Sequence, residues 1–314
     1  MSDPIRTKLS RVLRARCKMS VQKLGKQPDD RATRTFRLGF REPFDFDGLM
    51  TFFALRAIPG VESADTHYRR TFLVDGETGQ FSVHKEEASL VCRIWGGTPD
   101  AVETLAARVG CMFDVDAAPD VINERLVREK IMASLVAGAP GLRLPGAFDP
   151  FEVSVRAIVG QQISVKAATT IMGRISQRYG DESEYGLLFP AAGRLAELDP
   201  KTLGMPEKRA LTIKELARRV SAGELDLGST DDDTFIEELL VIPGIGPWTA
   251  QYIALRARSN ADAFLAGDLV IRKASKALIG TDNEKKILDY AQAWRPWRGY
   301  AGMHLWRYVA VLKQ

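Results

Sequence analysis

The chain has 314 residues, 45% of them hydrophobic and 27% charged, with a formal net charge of +4. That length accommodates two or three domains with real cores, no apolar run approaches the ~20 residues that span a bilayer, and the charge fits a nucleic-acid partner without proving one. Three scattered cysteines, Cys17, Cys92 and Cys111, make neither a disulfide framework nor a zinc pattern. They cannot ligate a four-cysteine iron–sulfur cluster, and they point to a reducing cytosol.

Residues 1–26 hold eight basic side chains against one acid, Asp3. Residues 1–32 therefore read as a basic, flexible tail. A non-specific DNA-binding arm and an Arg-rich organelle transit peptide stand beside the reading of a merely solvated tail. Residues 33–118 read as a small α+β unit. β-like runs fall at 35–40, 71–74, 80–84 and 89–95, with Asp75-Gly76 and Thr78-Gly79 as turn chemistry. Helical runs fall at 46–57 and 99–109, which predicts an antiparallel sheet with helices on one face. Tyr68, Arg69 and Arg70 are nucleic-acid candidates or simply surface residues.

From residue 119 helical periodicity takes over. One helix is predicted over 123–136, then a Gly/Pro-rich connector over 138–146, then a helix over 150–159 capped by Asp149. Gln161 and Gln162 follow Gly160 in an otherwise apolar run. Adjacent amides there need partners or solvent, which suits a loop at a cleft, or an ordinary surface turn. Further helices are predicted at 168–180, 194–198 and 207–222. Asp231 to Thr234 cap the next one, since acids favour a helix N-terminus.

That next helix carries Phe235, Leu239 and Leu240 at helical spacing and runs into Pro243-Gly244-Ile245-Gly246. A second helix begins at Pro247, where a missing N–H costs nothing. The glycines permit a tight reversal and leave backbone N–H groups bare at a helix N-terminus, an anion site made of main chain. An ordinary turn between packed helices is the plainer reading. Trp248 and Tyr252 are four apart and share a face. Asp268 precedes a helical run over 269–278 and is an N-cap whatever else it does. The C-terminal stretch 290–308 gathers Tyr290, Trp294, Trp297, Tyr300, His304 and Trp306, a spacing usual for core aromatics.

The hairpin followed by an acid at this distance resembles the helix-hairpin-helix DNA glycosylase superfamily. EPFDFDGLMTFFALRA, GLRLPGAFDPFE with GQQIS, and WRPWRGYA extend the likeness over roughly residues 35–310, and it is to the inducible class II DNA-3-methyladenine glycosylases. The resemblance implies a mostly α fold with an α+β N-terminal domain. An antiparallel sheet (33–118) would be followed by two helical domains, 119–149 with 261–314, and 150–260. It implies hydrolysis of the N-glycosidic bond of alkylated purines flipped out of double-stranded DNA. Asp268 would be the catalytic carboxylate, and Trp248, Tyr252 and Trp306 would line an electron-rich slot for a cationic base. Gln161 would contact the minor groove and Gln162 would be the wedge, where some members carry an apolar residue. Gly244, Gly246 and Thr249 would offer N–H groups to phosphate. The carbonyls of Leu240, Ile242 and Ile245 would hold Na+ or K+, with no other cofactor. Trp248 stands where strand-nicking members place a Schiff-base lysine, so a monofunctional enzyme is expected. It is expected to be monomeric and cytoplasmic, associated with the nucleoid. A non-catalytic DNA clamp is the rival reading. Asp268 and the aromatic slot argue against it, because a clamp needs neither.

Overall fold

The computed structural model describes residues 21–24, 34–228 and 231–312. Its N-terminal part is a six-stranded antiparallel sheet. The strands are β1 (Val21–Leu24), β2 (Arg34–Gly39), β3 (Glu62–Ala64), β4 (Tyr68–Val74), β5 (Glu77–Glu86) and β6 (Ser89–Gly96), in spatial order β1-β2-β6-β5-β4-β3. Phe36 and Leu38 of β2, Leu90, Cys92 and Ile94 of β6, Phe81 and Val83 of β5, and Tyr68 and Phe72 of β4 alternate at period two and line one face. Helices α1 (Phe46–Ala54) and α2 (Pro99–Phe113) cover that face with Leu49, Met50 and Phe53, and with Leu105, Val109 and Met112. Asp75 and Gly76, at φ 52° and 85°, form the two-residue turn that sets Val74 opposite Glu77. Thr78-Gly79 makes no turn. Both residues lie inside β5, and a Cβ on Gly79 would stand 2.4 Å from the Phe72 ring and from the Trp95 carbonyl. Strand β1 falls within the segment read as a tail. Residues 1–20 and 25–33, with the rest of that reading, lie outside the described residues.

The remainder is helical. In chain order the elements are α3 (Pro119–Leu126), α4 (Lys130–Ala137), α5 (Pro150–Val159), α6 (Val165–Tyr179), a small hairpin β7–β8 (Glu182–Ser183, Gly186–Leu187), α7 (Ala192–Ala196) and α8 (Glu207–Ser221). Then come α9 (Asp232–Leu240), α10 (Pro247–Ala257), α11 (Leu269–Ile279), α12 (Glu284–Ala291) and α13 (Arg298–Val311). The single helix predicted over 123–136 is two. Val127 ends α3 and Glu129 is extended (φ −94°, ψ 120°) ahead of α4, a break that no Gly or Pro announces. Asp149 caps α5 by accepting from the N–H groups of Phe151 and Glu152. One hydrophobic cluster runs through Val155 of α5, Ile213 of α8, Ile253 of α10, Ile271 of α11 and Leu305 of α13.

The sheet meets the helices across a seam of buried polar bonds. Arg70 of β4 pairs with Glu152 of α5 and, at 3.2 Å, with Glu62. Tyr68 is fully buried and donates to Glu62. Neither Tyr68 nor Arg70 is therefore open to nucleic acid, and of that trio only Arg69 has an exposed side chain. Asp114 sits in the left-handed region (φ 54°) at the C-terminus of α2. It accepts from the Leu144 N–H at 2.9 Å and from the Tyr300 hydroxyl at 2.7 Å, joining sheet, connector and α13.

Burial pushes the Asp114 carboxyl up to about 6 and the His304 imidazole, on α13, down to about 4. A carboxyl that holds its proton more tightly when folded adds stability below about pH 4 that is lost as pH rises through about 6. A histidine held neutral when folded adds stability above about pH 6.5 that is lost as pH falls through about 4. The two slopes oppose each other in the same window. Asp114→Asn keeps an acceptor for both bonds but removes the first slope. Its melting temperature should fall more steeply than that of the unmodified chain between pH 6.5 and 4.5, by an additional ~2–4 °C. His304→Leu should flatten or invert the acid loss. Parallel melting curves for the Asn variant and the parent would refute the assignment.

Candidate active site and DNA interface

Helix α9 starts on Asp231, which accepts from the N–H groups of Asp233 and Thr234, and it ends at Leu240. The chain then turns back into α10. Gly244 has φ 92°, and a Cβ there would stand 2.1 Å from Thr212 Oγ1. The same hydroxyl donates to the Pro243 carbonyl at 2.8 Å, so α8 is packed against the turn. Gly246 differs. Its φ of −96° suits any residue, a Cβ would meet nothing within 4 Å, and no side chain caps α10 there. The first N–H groups of α10, from Trp248 and Thr249 after Pro247, thus start a helix whose mouth is uncovered, the arrangement that takes anions. Leu240 is exposed, whereas Ile242 and Ile245 are buried. The Ile242 carbonyl accepts from the Ile245 N–H at 3.0 Å.

The loop after α5 is fastened to this hairpin. The Gln161 amide nitrogen donates to the Gly244 carbonyl and to Thr249 Oγ1, each at 2.9 Å. Its two donors are therefore spent within the protein, and Oε1 remains for an outside partner. Gln162 is exposed and sits in the left-handed region at φ 57°. Such backbone strain in a residue other than glycine is concentrated at functional sites.

Asp268 is the N-cap of α11. Its Oδ1 accepts from the N–H groups of Val270 (2.9 Å) and Ile271 (3.1 Å), and from Trp306 Nε1 (2.9 Å). Its Oδ2 accepts from Trp248 Nε1 at 3.1 Å. Trp248 stacks on Tyr252 with centroids 5.4 Å apart and planes at 19°, and the Tyr252 and Trp306 rings are 6.4 Å apart at 46°. Rings and carboxylate are thus brought together from α10, α11 and α13. Asp262, in the loop after α10, fixes α13 by pairing with Arg298 (2.8 Å) and Arg295 (2.7 Å). At Gly299 the helix comes so close that a Cβ would stand 2.8 Å from Leu255 Cδ1. Among the described residues no lysine or arginine pairs with Asp268, and Arg272 one turn on is turned to the Asp282 carbonyl.

Behind the slot lies a group that residue order does not announce. The Tyr252 hydroxyl accepts from Arg256 Nη1 at 2.9 Å, with Arg56 and Arg156 close by. Burial alone would raise this phenol, but the three guanidiniums outweigh it and bring it below its ordinary value. Arg56 comes from the turn after α1 and Arg156 from α5, so only the tertiary fold assembles them.

Two family descriptions cover the chain: the AlkA N-terminal domain over residues 35–149, and the HhH-GPD superfamily of base excision DNA repair proteins over residues 155–298. The DNA-3-methyladenine glycosylase 2 of Escherichia coli is 37% identical over 283 residues, covering 86% of this chain and 96% of that protein. The chain belongs to this glycosylase family. The probable bifunctional transcriptional activator/DNA repair enzyme AlkA of Mycobacterium tuberculosis is also 37% identical, over 87% of this chain. The chain spans 57% of the length of that relative. The 3-methyladenine DNA-glycosylase of Archaeoglobus fulgidus superposes with a TM-score of 0.76 at 21% identity, over 87% of this chain and 97% of that one. An 8-oxoguanine glycosylase/lyase from Clostridium acetobutylicum bound to DNA gives 0.71 at 21% identity, over 94% and 99%. At such identity these two speak for the glycosylase fold alone.

The two glycines of this family member's hairpin should separate on substitution. Gly244→Ala puts a Cβ into Thr212 at a left-handed position and should lower unfolding free energy by about 1–3 kcal/mol in a denaturant titration. Gly246→Ala should leave that free energy within about 0.5 kcal/mol while weakening duplex binding by fluorescence anisotropy. Equal stability losses in the two variants would contradict this division.

Proposed function

We propose that the chain is a monofunctional DNA glycosylase that removes alkylated purines from double-stranded DNA and leaves an abasic site. The carrying observation is the carboxylate of Asp268 held between two of the three rings of the slot. A target base must leave the stack before its glycosidic bond is accessible. Alkylation at a purine ring nitrogen makes the base cationic, and Trp248, Tyr252 and Trp306 offer faces that attract a cation. As the bond breaks, the sugar acquires oxocarbenium character, which a fixed carboxylate stabilises.

The bond count indicates which oxygen acts. Oδ1 takes three donors and is saturated, while Oδ2 takes one, from Trp248. Oδ2 keeps a lone pair for the sugar or for the attacking water. Every one of these groups is a donor, the set that an ionised, acceptor-only carboxylate accommodates. Trp248 occupies the position from which a lyase would attack with an amine, so strand cleavage is not part of this reading.

On the DNA side, the N–H groups of Gly244, Gly246 and Thr249 face a phosphate at the α10 N-terminus, and exposed Gln162 fills the space left by the extruded base. The carbonyls of Leu240 and Ile242 follow the negative end of α9 and, with that of Ile245, would suit a hard monovalent cation. The Ile242 oxygen retains a second lone pair beside its bond to Ile245. Such an ion would add positive charge toward the phosphate. One cleft per chain suits a monomer. Among the described residues no helix is long and apolar enough to cross a membrane.

The test is base release from a methylated duplex. The parent chain should liberate methylated purine and leave heat-labile abasic sites without nicking, and borohydride should trap no protein–DNA adduct. Asp268→Asn should slow release by at least ~100-fold while affinity for an abasic-site duplex is retained. Release unchanged in that variant sinks the mechanism. No release by the parent chain, with tight DNA binding, would make it a non-catalytic clamp.

A further inference from the structure

Trp248, Tyr252 and Arg256 follow one another at four-residue spacing along α10, so they share a face that runs inward from the mouth of the slot. Eight residues at 1.5 Å rise place the Arg256 backbone about 12 Å further along α10 than that of Trp248, and its guanidinium reaches back to 5.7 Å from the Tyr252 ring. Asp268 is bonded at the Trp248 end. The inner end is cationic. Arg56, Arg70, Arg156 and Arg256 gather there around Glu62 and Glu152, with Asp149 beyond Glu152. The glutamates are taken by Arg70 and Arg156, through Arg70–Glu152, Arg70–Glu62 at 3.2 Å and Arg156–Glu62 at 3.7 Å.

Arg56 and Arg256 are held by neutral acceptors and rings instead. Arg56 donates to the Phe52 carbonyl at 3.1 Å. Arg256 donates to the carbonyls of Pro145 and Gly146 and to the Tyr252 hydroxyl. Both guanidiniums lie over the Phe52 ring, at 3.7 and 4.6 Å from its centroid. Burial pushes Arg56 down to about 10, so at neutral pH it stays charged.

We infer that Arg56 and Arg256 complete a field along the slot, negative at the sugar and positive behind the base, that drives the reaction by moving charge from the base toward the sugar. This rests on the slot's being the base pocket. An alkylated purine enters with its positive charge on the base, nearer the arginines. In the transition state the bonding electron pair passes to the base, which becomes neutral, and the positive charge appears on the sugar, beside Asp268. The arginines raise the bound state and the carboxylate lowers the transition state, so both reduce the barrier. For a purine that starts neutral, the departing base gathers negative charge, which the arginines stabilise directly.

The field differs from a packing role in its sign pattern. Arg56→Met should bind the free cationic base, 3-methyladenine protonated at mildly acid pH or a dimethylated purine cation, about threefold to tenfold more tightly. The readout is quenching of the slot tryptophans, and a neutral purine such as hypoxanthine should bind as in the parent chain. In single-turnover assays the same variant should release 7-methylguanine about tenfold more slowly, and Arg56→Lys should recover most of that loss. Thermal melts exclude misfolding. Cationic-base affinity that is unchanged or weakened in Arg56→Met, or a Lys variant as slow as Met, overturns the inference. If the parent chain binds cationic base but releases none, the glycosylase reading fails, while the binding comparison still decides whether the arginines oppose a cation in the slot.

Discussion

The four N–H bonds into Asp268 hold the site together. Two come from the first turn of α11 and two from indoles on α10 and α13. One carboxylate is thus a helix cap and the meeting point of three segments. Neither tryptophan can shift without breaking a bond to it, and α11 cannot fray without releasing both rings. The usual partner of a half-buried aspartate, an arginine, is missing among the described residues, and Arg272 turns to the Asp282 carbonyl instead. Directional N–H donors without net charge fix the geometry and leave the negative charge intact, which a guanidinium would cancel. The arginines that brace this region work one layer out, where Arg295 and Arg298 grip Asp262 and set the start of α13.

The hairpin divides its two glycines between fold and ligand. Gly244 is demanded from inside, by its left-handed backbone and by Thr212. Gly246 is demanded by nothing inside, so its value lies in what approaches from outside. A grip built from main-chain N–H groups needs few surface cations, so the proposed duplex partner would be compatible with a net charge of only +4. Gln161 ties the hairpin to the loop that bears Gln162, so in the proposed function phosphate contact and wedge would keep a fixed spacing. That is the geometric requirement for pushing a base out while holding its strand.

Much of this was legible in residue order because it is local. Short β-like runs marked β2, β4, β5 and β6, and Asp75-Gly76 marked the turn between β4 and β5. Asp149, Asp231 and Asp268 announced three helix starts, since a cap acts within three residues. Trp248 and Tyr252 could be paired from their spacing, whereas Trp306 was tied to them only by family likeness, because α13 reaches the slot through long-range packing. Local reasoning failed where the deciding partner is distant. Arg70 reads as a surface cation until Glu152, on α5, is brought against it. The break between α3 and α4 carries no Gly or Pro, so residue preferences alone leave the helix continuous. Gln161 reads as a free amide until the hairpin, more than 80 residues on, supplies both its acceptors.

The seam behind Tyr252 breaks the ordinary rule that buried charges are balanced. Arg56, Arg156 and Arg256 each make the others costlier, and their combined effect is large enough to reverse what burial does to the phenol between them. A core that served stability alone would replace one of them with an apolar side chain, since Phe52 already supplies a packing surface. Local violations of this kind persist where function needs them. They also bring the N-terminal unit up to the slot, because Phe52 and Arg56 arrive from α1 and the turn that follows it, and Glu62 from β3. The N-terminal unit is in contact with the helical part through the wall of the slot itself. A change in how the sheet sits would therefore be felt first at the Tyr252 ring, ahead of any effect on the hairpin or on Asp268.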